Sequence, residues 1–96
     1  MVGFEITVQV EKNRRHEFLQ AWKLLTRSED ADPACLEQHL YEDVHEGNTF
    51  LWVECWNSAE QLAIHLNSDR FRTVLGAIEV LGERNTLRHT RWKLQE

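Results

Sequence analysis

The chain has 96 residues, 42% of them hydrophobic and four of them tryptophan, with a formal net charge of −5. That length supports one domain, residues 1–96, with one core, and so much apolar content excludes a disordered chain. An acidic surface repels phosphate backbones and anionic lipid, so neither nucleic acid nor a membrane is an expected partner.

Phe4, Ile6, Val8 and Val10 alternate with Glu5, Thr7 and Gln9, which predicts a half-buried strand. From Asn13, a predicted N-cap, the period becomes helical, with Phe18, Leu19, Trp22 and Leu25 on one face. Residues 27–33 are polar, end in the only proline, and read as a loop. Residues 34–42 are the second strand, and Glu46-Gly47-Asn48 signals a hairpin into a third strand at 50–56. Asn57 or Ser58 caps the next helix, since Glu60 and Gln61 each stand three places on. Ala59, Leu62 and Leu66 form its apolar face. Asn67-Ser68 interrupts it, and Ser68 can cap a longer helix marked by Phe71, Val74, Leu75, Ile78 and Leu81. Gly76 weakens that helix by roughly 1 kcal/mol, so a close packing contact is expected there; Gly82 suits its end. The last strand is predicted at 86–94.

The order β-α-β-β-α-β, with its second helix broken, is the ferredoxin-like α+β arrangement. The third strand has apolar residues in both phases: Leu51, Val53 and Cys55 in one, Phe50, Trp52 and Trp56 in the other. Helices cover one face only, and an open face carrying these rings is too large an apolar patch for a lone subunit. A homodimer packed sheet to sheet, with Trp52 or Phe50 in the contact, is therefore expected. Screening of the rings by long polar side chains or loops is the alternative.

No apolar run is long enough to cross a bilayer, and the first residues alternate like a strand rather than a signal peptide. Cys35 and Cys55 form neither a C-x-x-C pair nor a zinc spacing, which reads as two buried thiols in a cytoplasmic protein. The five histidines show no ligand spacing, and no phosphate loop or dinucleotide fingerprint occurs, so no metal and no cofactor are expected. Arg84, Arg88, Arg91 and Lys93 make the C-terminal stretch locally basic, read as a solvated or paired strand.

Glu54-Cys55-Trp56-Asn57-Ser58, followed by His65-Leu66-Asn67-Ser68-Asp69-Arg70-Phe71, resembles the antibiotic-biosynthesis monooxygenase (ABM) family. The similarity runs from Phe4 to about Gly82. It implies a dimeric α+β barrel, a fold that hosts cofactor-independent oxygenation of anthrones and quinols, haem degradation and sugar isomerisation. The haem-degrading branch fits poorly. Its ligating histidine falls at Leu75, it has tryptophan where this chain has His65, and its first-strand asparagine has no counterpart.

His65 is the candidate catalytic base, because an imidazole titrates near neutral pH and can take a proton from a phenol. A structural histidine holding the broken helix together is the competing reading. Trp56, Trp52 and Phe71 are candidate walls for a flat aromatic substrate, or else core. Glu54, set between two tryptophans, must be paired, solvated or protonated, with Arg72, Arg88 or Arg91 as candidate partners. His39 is placed near the pocket or between subunits, sharing a strand face with Cys35, Glu37 and Tyr41. Two functions follow: a quinol or anthrone oxygenase without cofactor, or a non-catalytic dimer binding a small apolar ligand or a partner. A pocket containing His65 between helices and sheet discriminates them.

Overall fold

A computed structural model describes residues 1–26 and 32–91, with the backbone alone for Leu25 and for 82–91. The elements are β1 (Val2–Val10), a 3-10 turn (Lys12–Arg14), α1 (Arg15–Leu25), β2 (Cys35–Glu42), β3 (Thr49–Trp56), α2 (Ala59–Leu66), α3 (Asp69–Leu81) and β4 (Gly82–Arg91). The four strands form one antiparallel sheet in the order β2-β3-β1-β4. This is the expected ferredoxin-like fold.

The register of the central pair decides which side chains meet the helices. Ile6 stands opposite Trp52, Val8 opposite Phe50 and Val2 opposite Trp56. The apolar phase of β1 and the aromatic phase of β3 therefore share one face. Phe18 of α1, Leu62 of α2, and Phe71, Val74 and Ile78 of α3 close over it as one core. Trp52 and Phe50 are each 2% exposed. The expectation that they lie on the open face is corrected: the open face carries Leu51, Val53 and Cys55 of β3, beside Thr7 and Glu5 of β1 and Tyr41 and His39 of β2.

The helix ends differ in how well their signals served. Ser58 caps α2, its hydroxyl accepting from the Gln61 N–H at 3.2 Å. Ser68 joins α2 to α3: it accepts from the Phe71 N–H at 3.1 Å and donates to the His65 carbonyl at 2.6 Å. Asn13 does not cap α1; it lies inside the 3-10 turn, and Arg14 precedes the helix without a side-chain cap. The hairpin turns as expected, but Asn48 rather than Gly47 takes the positive φ, at 67°; asparagine tolerates that region better than most residues. Among the described residues, a Cβ added at Gly76 would meet nothing within 4 Å, so the expected close contact is absent there. β4 starts at Gly82 directly after α3, earlier than predicted. The predicted loop at 27–33, save its last two residues, and the end of the predicted last strand, 92–94, lie outside the described residues, as do the side chains of Arg84, Arg88 and Arg91.

Candidate functional site

The site grows from the sequence Trp52-Val53-Glu54-Cys55-Trp56 on β3. Alternation puts both tryptophans and the glutamate on the helix-covered face, with the carboxylate midway between two indoles. Both indoles turn their N–H toward it: Trp52 Nε1 donates to Oε2 at 2.9 Å and Trp56 Nε1 to Oε1 at 3.0 Å. Gln38, opposite Glu54 on β2, donates its amide to Oε2 at 2.8 Å. Glu54 has no solvent exposure at all. A carboxylate so deep is tolerable only because hydrogen bonds surround it. Among the described residues no pairing of Arg72 with Glu54 occurs, and the side chains of Arg88 and Arg91 lie outside the described residues.

His65 completes the cluster from α2. Its Nε2 lies 3.2 Å from Glu54 Oε1. The ring N–H is not aligned on that oxygen, and buried Nε2 makes no formed hydrogen bond. The imidazole stacks on Trp56 with centroids 4.4 Å apart and meets the Phe71 ring edge-on at 5.2 Å. Helix α2 ends one residue later, at Leu66, and Ser68 grips the His65 carbonyl. The break between the helices thus holds His65 at the bottom of α2.

A cavity of about 450 Å³ opens against this cluster between β2, β3, α2 and α3. Its mouth carries the exposed apolar side chains of Leu36 and Ile64. Cys35, Gln38, Ser68 and Arg70 also face it. The side chain of His65 keeps 15% of its surface exposed. Trp52 and Trp56 reach the cavity by narrow strips, being 2% and 1% exposed. Stacking of a flat ligand on the Trp56 face is displaced by His65 itself. Glu54 lies at the floor of this wall, in the lining but without solvent exposure.

The structure thus brings together His65, Trp52, Trp56, Phe71 and Glu54, and leaves His39 out. His39 stands opposite Val53, on the open face, with its ring 5.6 Å from Tyr41. A register shift between Cys35 and Glu37 is the reason the four β2 residues do not share one face: Cys35 pairs with Trp56, on the cavity side, and Glu37 with Cys55. Sequence reasoning missed Gln38 and Cys35 at the cavity. The alternation from Glu54 offered no signal for Gln38, because strand pairing selects it. Burial, then the nearby charges of Glu54 and Asp32, push the Cys35 thiol up to about 12.

A profile of the antibiotic biosynthesis monooxygenase family matches residues 1–76. The chain belongs to this family. The chain is similar to YcnE of Bacillus subtilis, a provisionally named monooxygenase, 26% identical over 72 residues that cover 75% of this chain and 76% of YcnE. The uncharacterized protein sll1783 of Synechocystis is 27% identical over 64 residues, 67% of this chain; that match spans only 44% of sll1783. Among solved structures, a Deinococcus radiodurans protein provisionally named for the ABM family superposes with a TM-score of 0.87 at 16% identity, covering 100% of this chain and 96% of that one. Rv0793 of Mycobacterium tuberculosis superposes at 0.82 with 18% identity, covering 99% and 96%. At such identities the likeness is one of fold. Among the described residues, no helix is long and apolar enough to cross a membrane.

Proposed function

We propose that this ABM protein is a cofactor-independent monooxygenase acting on an electron-rich aromatic of the quinol or anthrone class, with His65 as the base. One observation carries the reading: His65 stands at the wall of an open cavity with an apolar mouth and an aromatic floor. A cavity filled by side chains would have favoured the non-catalytic alternative.

The imidazole takes a proton from the substrate and leaves an anion. The anion gives one electron to dioxygen, and the resulting radical and superoxide combine to a peroxide. For an anthrone, the imidazolium returns its proton to that peroxide, and loss of water then leaves a carbonyl: one oxygen atom enters the product and the other leaves as water. The protein supplies the base and a water-poor enclosure that keeps the radical pair together.

The same proposal includes a homodimer. Leu51 and Val53 on the open sheet face are half-buried, and Tyr41 beside them is 53% exposed. A second copy packed sheet to sheet would cover them.

Oxygen uptake with a panel of quinols and anthrones tests the activity. The wild type is expected to consume about one dioxygen per anthrone, the balance written above, and His65→Asn to lose about a hundredfold or more in rate with its fold retained. His65→Asn with unchanged uptake and a lowered melting temperature would end the catalytic assignment.

A further inference from the structure

We infer that Glu54 is the positioning residue for His65, its carboxylate facing Nε2 so that Nδ1 is the atom that takes the substrate's proton. This inference rests on the reading of His65 as the base.

A carboxylate offers about four lone-pair directions. In Glu54, Trp52, Trp56 and Gln38 occupy three of them with N–H donors, at 2.9, 3.0 and 2.8 Å. The remaining direction is the one His65 meets, at 3.2 Å. The three neutral donors fix the carboxylate in place, and they leave the imidazole as the partner that can become a cation. Nε2 is sealed from solvent. No hydrogen bond engages Nδ1 among the described residues. The base lone pair therefore belongs on Nδ1 when Nε2 carries its proton toward Glu54.

The misaligned Nε2 contact is what a resting site looks like. Such hydrogen bonds tighten as charge develops. A proton arriving on Nδ1 makes the ring a cation, and its Nε2–H then faces a carboxylate away from water, where a charge-assisted bond is strongest. Trp56 on one face and Phe71 at the edge hold the ring plane meanwhile. Among the described residues, the other titratable groups around the cavity are Asp32, Cys35 and Glu37 from the β2 side and Arg70 from α3, while from β1 the Phe4 ring packs near the His65 ring. Of the described acids, Glu54 is the one brought to bonding distance of His65.

Proton NMR on protein labelled with 15N at histidine tests this without a substrate. On acidification within the folded range, the wild type is expected to show a His65 ring N–H resonance far downfield of the indole N–H signals. That resonance should vanish in His65→Asn and move upfield in Glu54→Gln. With the quinol or anthrone that the wild type turns over, Glu54→Gln should lower kcat about tenfold or more and leave KM within about twofold, since the Glu54 carboxylate has no solvent exposure and is bonded to protein donors. A purely structural Glu54 would lower the melting temperature and leave kcat of the folded variant unchanged; that result overturns the inference, as does a wild type without the downfield resonance. If Glu54→Gln fails to fold, the wild-type spectrum decides by itself. A wild type with the resonance but no turnover overturns the base reading alone and leaves the Glu54–His65 contact standing.

Discussion

Glu54 is the residue whose environment could be half read in advance. Its position between Trp52 and Trp56 at spacings of two predicts one shared face, and a carboxylate there must find partners. Sequence alone points to arginine for them, whereas the two indole N–H groups of the same five residues supply two. Gln38 and His65 arrive from other elements, so their share was invisible. Cys35 shows the opposite case: simple alternation along β2 placed it with His39, and the register shift after it moved it to the cavity. Its thiol has a testable consequence. With the thiol pushed up to about 12, the thiolate is scarce at neutral pH. The raised value means the proton leaves only as pH climbs toward it. Iodoacetamide should therefore label the folded protein at Cys35 far more slowly than the unfolded chain, although Cys35 is only half-buried. Mass spectrometry of the time course checks this; equal rates in both states would contradict it.

At the scale of elements, every helix and strand within the described residues was legible, because period and turn chemistry are local signals. Their ends were less so. Ser58 and Ser68 cap as expected because serine before a helical run has few competing uses, whereas Asn13 lost its role to a 3-10 turn that starts the helix later. Gly76 was read as a mark of close approach, yet no described residue comes near the place of its missing Cβ. A glycine inside α3 then carries only its entropic cost. Gly76→Ala is expected to stabilise the protein by about 1 kcal/mol, since nothing within 4 Å opposes the added methyl. Chemical denaturation of the two proteins side by side measures it. A loss of stability would contradict this reading of the glycine.

For the whole molecule, the decisive question was which face of the sheet meets the helices, and periodicity alone could not answer it. Alternation divides β3 into two sets without saying which is inward; that depends on the register with β1, a long-range property. Once Ile6 stands opposite Trp52, the large rings go to the core and the smaller set goes out. The residues available to a dimer contact are therefore different ones. The open face no longer offers two tryptophans and a phenylalanine, but rows that alternate apolar and polar groups: Tyr41, Leu51 and Thr7, then His39, Val53 and Glu5. Leu51 and Val53 are flanked on both sides, so a second sheet laid over them would bury a compact apolar centre with a polar rim, as protein interfaces do. The proposed dimer then predicts which substitution breaks it. Val53→Lys places a charge at that centre; a buried, unpaired ammonium is not tolerated between two sheets, while in a monomer it simply meets water. Light scattering at micromolar concentration should give a dimer mass for the wild type and a monomer mass for Val53→Lys, with the circular dichroism of the two alike. Trp52→Phe, by contrast, should leave the mass unchanged, because Trp52 lies under the helices. A wild type that scatters as a monomer would remove the dimer from the proposal and leave the cavity and His65, which lie on the other side of the sheet, untouched.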